Sequence, residues 1–249
     1  MSVDYGSVAD DFFVNLNLQT TLPLPTSRET VLHFYEAVQK EFPSMACFYQ
    51  REGGEFILEG DREGGTYQWL ELQANRMSAG HFNPASPAEA YRFHSWLLDR
   101  SVYFLGVSPL DVEALDVMFG FNLDYQGNRD AIVAQALLAN SPLAALMTEG
   151  SARAVEFEPS LVVSIDEECS LQARLSLETR SSSYQVRTGQ YDEEPISVYF
   201  AIRRYPIPGS VINIKESFVR QSRLCEDLTS RIVVPQVIRP ILAAIAAGE

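Results

Sequence analysis

Apolar and polar residues alternate through Phe13-Val14-Asn15-Leu16-Asn17-Leu18-Gln19, and the pattern returns in Phe119-Gly120-Phe121-Asn122-Leu123-Asp124. A period of two marks a strand with one buried face. Each run is followed by a loop and then by a helical repeat, so the chain reads as two similarly ordered parts.

In the first part a strand at 12–20 leads into Thr21-Leu22-Pro23-Leu24-Pro25, whose prolines suit neither a helix nor a central strand. Thr26 and Glu29 have the spacing of a capping box, and Val31, Phe34, Tyr35, Val38 and Phe42 then recur at helical spacing up to Pro43. Strands are expected at 45–50 and 55–59 around Gly53-Gly54, at 66–73 after Gly64-Gly65, and from Asn75-Arg76 to Phe82. Within 66–73, Leu70 and Leu72 fall on one face and Trp69, Glu71 and Gln73 on the other. Ser86-Pro87-Ala88-Glu89 opens a helix that carries Ala90, Phe93, Trp96 and Leu97.

The second part begins with a strand over 112–125 and a helix over 132–138, with Asn128 as candidate cap. A short helix starts at Ser141-Pro142. Strands are expected at 157–166 and 170–178, a short piece at 184–187 inside a loop rich in serine and acid, and a strand marked by Ile196, Val198, Phe200 and Ile202. Tyr205 to Gly209 is a rigid connector. The last helical region, 217–247, is interrupted near Pro235 and Pro240.

The expected fold class is α+β: tandem strand-helix-(about four strands)-helix units forming a curved, mostly antiparallel sheet with helices on one face. Residues 1–11 read as a disordered N-terminus, 12–107 as a first half and 108–249 as a second. A single α+β domain with ordinary alternation is the other reading. The element order resembles the TATA-binding-protein-like fold, in which two such units form one curved sheet with helices on its convex side. That resemblance implies the shape alone, because the intercalating and basic residues of that fold have no match here. Trp69-Leu70-Glu71-Leu72-Gln73, the helix carrying Tyr91 to Leu98, and Phe119-Gly120-Phe121-Asn122-Leu123 also resemble the middle of a sporadically distributed family of uncharacterised bacterial proteins. That second resemblance covers roughly residues 1–130 and implies no activity.

A chain of 249 residues with 46% hydrophobic and 21% charged residues can bury a substantial core. No apolar run reaches the roughly 18 residues of a membrane span, and Met1 to Tyr5 lacks a basic leader, so the expected location is the cytoplasm. Cys47, Cys169 and Cys225 are widely spaced and form no CxxC pair. They read as reduced thiols, with Cys47 and Cys225 buried and inert. The net charge of −14 divides evenly: residues 1–105 hold 7 basic and 14 acidic side chains and the remainder 12 and 19, which is −7 each. Nucleic-acid binding needs a positive face and is disfavoured.

His33 and Glu36 have a metal-ligating spacing on one helix, but no second helix offers a partner pair. His81 and His94 flank a helix start with no third ligand announced. Phosphate loops, a dinucleotide fingerprint and a G-x-S-x-G elbow are missing from the sequence. Asp166-Glu167-Glu168 and Asp192-Glu193-Glu194 lack the turn glycine of a calcium loop and read as solvated charge. No catalytic residue, metal or cofactor is assigned, and oligomeric state is left open.

There remains the polar side of the sheet: Asn15, Asn17, Gln19, Trp69, Glu71, Gln73, Asn122, Asp124, Arg174, Glu178, Tyr199 and Arg203. An ordinary solvated face is one reading. The other is a non-catalytic binding or interaction protein, engaging a protein or small molecule through Asn15, Asn17, Trp69, Glu71, Asn122, Asp124, Arg174 and Tyr199. An enzyme built between sheet and loops on Glu71, Asp124, Arg174 and a histidine is the alternative, and nucleic-acid binding a second one. No membrane association is expected.

Overall fold

β1 (Asp11–Thr20) buries Phe12, Val14, Leu16 and Leu18 and leaves Phe13, Asn15, Asn17 and Gln19 half-buried on its other side. This strict alternation is what a sheet covered on one face requires. The computed structural model describes residues 5–207 and 209–248; positions 1–4, the start of the expected disordered N-terminus, lie outside the described residues, as do 208 and 249. Residues 5–11 are not frayed as expected. Tyr5–Ser7 makes a 3-10 turn, and the Tyr5 ring packs on Phe12, Phe119 and Phe121 in the core.

The strands after β1 are β2 (Cys47–Gln50), β3 (Phe56–Glu59), β4 (Tyr67–Gln73), β5 (Arg76–Phe82), β6 (Val112–Leu123), β7 (Ser160–Ser164), β8 (Leu171–Glu178) and β9 (Ile196–Arg204). They form one open sheet in the order β2-β3-β4-β5-β1-β6-β9-β8-β7, antiparallel throughout. The two opening strands lie side by side at its centre, Asp11 opposite Asn122 and Leu18 opposite Leu115. Each then pairs on its outer side with the last strand of the meander that follows it, β1 with β5 and β6 with β9. The second meander has three strands where about four were expected. The piece at 184–187 is helical, because Ser182 and Gln185 close a capping box that starts a short helix over Ser183–Thr188.

The helices are α1 (Arg28–Glu41), α2 (Pro87–Phe104), α3 (Arg129–Leu138), α4 (Ser183–Thr188), α5 (Ile214–Leu228) and α6 (Arg239–Gly248). α1 is capped by Ser27, which accepts from the Thr30 N–H, one residue later than the Thr26 box. α2 keeps Pro87 in its first turn, but Ser86 makes no side-chain cap; Glu89 instead reaches back to the Ala85 N–H. Between α5 and α6 the chain continues as a π-helix, Thr229–Ile238, around Pro235. Proline cannot donate the regular bond, and the wider turn absorbs the defect without ending the helix. The run Ile214–Gly248 is long and apolar enough to cross a membrane by length and composition. It lies against the sheet and α3, and buries Phe218, Cys225, Val234, Ile238 and Ile241 there.

One continuous core fills the layer between helices and sheet and draws on both halves, from Phe34 and Phe93 to Val198 and Ile238. Gln221 of α5 is buried in it and donates to the carbonyls of Leu115 (2.7 Å) and Ile202 (2.8 Å), which seats the helix over β6 and β9. Cys225 is buried as expected, and burial pushes its thiol well above the usual range. Cys47 is exposed, contrary to expectation, because β2 is an edge strand and this side chain is on the face away from the helices.

Candidate functional site

Among the described residues no helix covers the second face of the sheet, and the cross-strand register sets what it presents. Tyr67, Phe82, Phe13, Gly120 and Tyr199 occupy one row across five neighbouring strands. The rings stack along it: Tyr67 on Phe82 at 5.2 Å between centroids, Phe82 on Phe13 at 5.8 Å, and Phe13 edge-on to Tyr199 at 6.2 Å. Gly120 makes the row possible, because the Phe13 ring lies against it and a Cβ at 120 would come within 2.1 Å of two ring carbons. Gly80 does the same in the next row, where the Trp69 indole and the Asn15 amide meet over the missing side chain.

These rings floor a hollow of about 420 Å³ lined also by Asn15, Asn122, Arg180, Glu194 and Ser197. Asn15 turns its Oδ1 away from solvent with no hydrogen-bond partner among the described residues. A chain of polar contacts borders the hollow along one end of the strands. Asn83 donates to Asp11 (2.8 Å), Asn122 to Asp11 (3.4 Å), and Ser197 to Asn122 (2.8 Å). Arg180, at a φ of 52°, spreads its guanidinium over Ser197 (2.9 Å), Tyr199 (2.8 Å) and Glu178 (2.6 Å). A second hollow of about 320 Å³ adjoins across Tyr199, between Asn17, Met118, Arg174 and the Asp116–Arg203 pair.

The wall at Glu194 is held from inside the protein. Arg129, the first residue of α3, is fully buried and donates to the carbonyls of Thr179 (2.6 Å), Asp192 (2.9 Å) and Glu194 (3.0 Å). Asp130 beside it accepts from the Phe157 N–H and the Thr179 hydroxyl. The loop read as solvated acid therefore binds a buried cation through its backbone, and its Asp192 carboxylate accepts from the buried Gln185 amide (2.7 Å).

Of the residues expected on this face, Asn15, Trp69, Asn122 and Tyr199 surround the first hollow, and Asn17, Arg174 and Tyr199 the second. Glu71 is on the face but is only 8% exposed, taken up by Arg51 (2.9 Å) and Gln73. Asp124 lies beyond the end of β6 in an exposed loop, where partial desolvation and the Asp10 and Asp11 carboxylates push its carboxyl up. Glu71, Asp124 and Arg174 do not converge; β4 and β8 are separated by four strands. His94 is sealed in the core between Phe93 and Phe218, and His33 is exposed against Phe104. Among the described residues no group of three or more His, Cys, Asp or Glu side chains is placed to hold a metal ion.

The aromatic floor was missed in the sequence because Phe12 and Phe13 are adjacent and both apolar. Parity with Asn15 and Asn17 was the available signal: it puts Phe13 on the open face. Nothing local marks Phe82 or Tyr67, or the two glycines, as neighbours of Phe13.

No family model and no curated protein matches the chain. Among solved structures, the crystal structure of the di-domain ARO/CYC BexL from the BE-7585A biosynthetic pathway aligns over 94% of this chain and 98% of that one, at 8% identity and a TM-score of 0.20. A likeness of that size transfers neither fold nor function. Neither resemblance drawn from the sequence finds support in these comparisons.

Proposed function

We propose that the protein is a non-catalytic binding protein that takes its ligand on the open face of the sheet. The observation that carries this reading is the aromatic row over Gly120, extended by Trp69 over Gly80 and bordered by amides and the Arg180 fork. Half-buried rings beside fixed polar groups give a flat apolar surface with directional contacts at its rim, the usual composition of a ligand site. The first hollow is within the size range of small-molecule pockets, roughly 300–1,000 Å³. Arg51, Arg180 and Arg203 are each neutralised by a carboxylate, so the face offers a phosphate backbone little net positive charge. The reading treats 12–107 and 108–249 as two related units whose opening strands build the floor together. It places the protein in the cytoplasm, where exposed Cys47 and Cys169 persist as thiols.

The test is a thermal-shift screen of a metabolite library against the wild-type protein, Trp69→Ala and Tyr199→Ala. Compounds that raise the wild-type Tm are expected to leave the Tm of both variants unchanged. Equal shifts in all three proteins would place the ligand elsewhere and remove the proposal.

A further inference from the structure

β7 is the last strand of the sheet, and its outer edge has no neighbour among the described residues. All five of its residues are exposed, with Leu161 at 61%, Val162 at 52% and Val163 at 43%. From Pro159 to Ile165 the chain carries no ionisable side chain. Edge strands are ordinarily protected by lysine, proline, a bulge or a covering element. At the opposite edge Tyr35 of α1 packs on Phe48 of β2, although three of that strand's four residues are exposed. α5 stops over β6 and β9, and Leu161 and Val163 stay exposed on the helix side.

The hydrogen-bond pattern shows which groups this edge offers. Ile165 N–H donates to the Leu171 carbonyl and Leu177 N–H to the Pro159 carbonyl, both within residues that face each other across the β7–β8 pair. Bonded pairs alternate along an antiparallel ladder, so 159, 161, 163 and 165 turn their backbone groups towards β8. Ser160, Val162 and Ser164 therefore turn theirs outward.

We propose that β7 pairs with β7 of a second copy of this chain, antiparallel about a two-fold axis at Val162. The strand is chemically self-complementary in that register. Val162 meets its own counterpart, Leu161 meets Val163, and Ser160 meets Ser164. All three outward-facing residues fall in bonded pairs, so the register that matches side chains is also one the backbone permits. Each strand places Val162 on the open face and Leu161 and Val163 on the helix face, so apolar groups meet apolar groups on both sides. The two copies repel through their net charge of −14 each, yet no charge lies on the pairing strands themselves. A five-residue contact buries little area, so the dimer is weak and concentration-dependent, below the roughly 1,200 Å² of stable complexes.

Sedimentation velocity of the full chain, from about 1 to about 300 µM, tests this. The wild type is expected to move reversibly from monomer to dimer. Val162→Lys puts two ammonium groups opposite each other and is expected to weaken the dimer at least about tenfold. Val162→Pro removes an outward N–H without breaking a bond to β8, and is expected to do the same. Val162→Thr keeps shape and strand preference and is expected to retain the dimer. Circular dichroism checks that each variant is folded. A wild type that stays monomeric throughout overturns the proposal, and so does a dimer that either folded Lys or Pro variant leaves intact.

Discussion

His94 is fully buried between two aromatic rings, and neither ring nitrogen has a partner among the described residues. Burial, with a smaller contribution from His81, lowers its pKa to about 3. The folded protein holds it neutral, while the unfolded chain protonates it near its ordinary value of about 6.5. Stability from this residue is therefore complete above about pH 6.5 and declines as pH falls towards 3, by about 1.4 kcal/mol per pH unit for one proton. Burial lowers His81 as well, which acts in the same direction. Denaturant unfolding of wild type and His94→Phe at pH 7.0, 6.0 and 5.0 measures the difference, with roughly that slope expected for the pair. Parallel pH profiles would show that His94 takes its proton inside the fold. The sequence placed His94 only at a helix start. Its burial follows from α5 crossing α2 and bringing Phe218 onto the ring, a packing that no local pattern in 86–98 encodes.

Among the elements, the join between α3 and the loop before β9 rests on one buried side chain. Arg129 donates to three backbone carbonyls of that region from a fully buried position. Arg129→Met would leave those acceptors without donors and is expected to destabilise the protein by about 3 kcal/mol or more. Hydrogen exchange should show faster labelling across 179–195, α4 included, with β1 and β6 unchanged; uniform loss of protection would mean that the arginine supports the whole fold. The elements themselves were largely legible. β1 and β8 show a period of two because one face of each is buried, β4 and β6 keep it in sequence although part of their polar side is buried too, and α1 shows its helical repeat because one stripe of it is buried. α4 was signalled by Ser182 and Gln185 but hidden among serines. Arg129 was not legible at all, since a buried cation held by carbonyls is indistinguishable in sequence from a surface arginine near a cap.

For the molecule as a whole, the consequence of one core is cooperativity. Phe12, Leu16, Phe119 and Phe121 pack across the β1–β6 boundary, and α5 rests on strands of the second half while meeting α2 of the first. Both tryptophans, Trp69 and Trp96, belong to residues 12–107, so their fluorescence reports the first half while far-ultraviolet circular dichroism reports both. Urea titrations followed by the two signals are expected to give the same midpoint. Separate midpoints would mean that the halves hold their structure independently. The open face depends on the same arrangement, because the row from Tyr67 to Tyr199 crosses from one half into the other and has no floor without the central pair.

That central pair also sets a schedule for biosynthesis. Thr20 ends β1 and Val112 begins its partner, so 112 − 20 = 92 residues separate them along the chain. At translation rates of about 5–20 residues per second, roughly five to twenty seconds pass between the two leaving the peptidyl transferase centre. Once β5 (Arg76–Phe82) has been made it can zip onto one side of β1, but the other side still waits bare, with Phe12, Val14 and Leu16 beside it. Until the second opening strand emerges, the nascent chain exposes apolar surface that the finished fold covers.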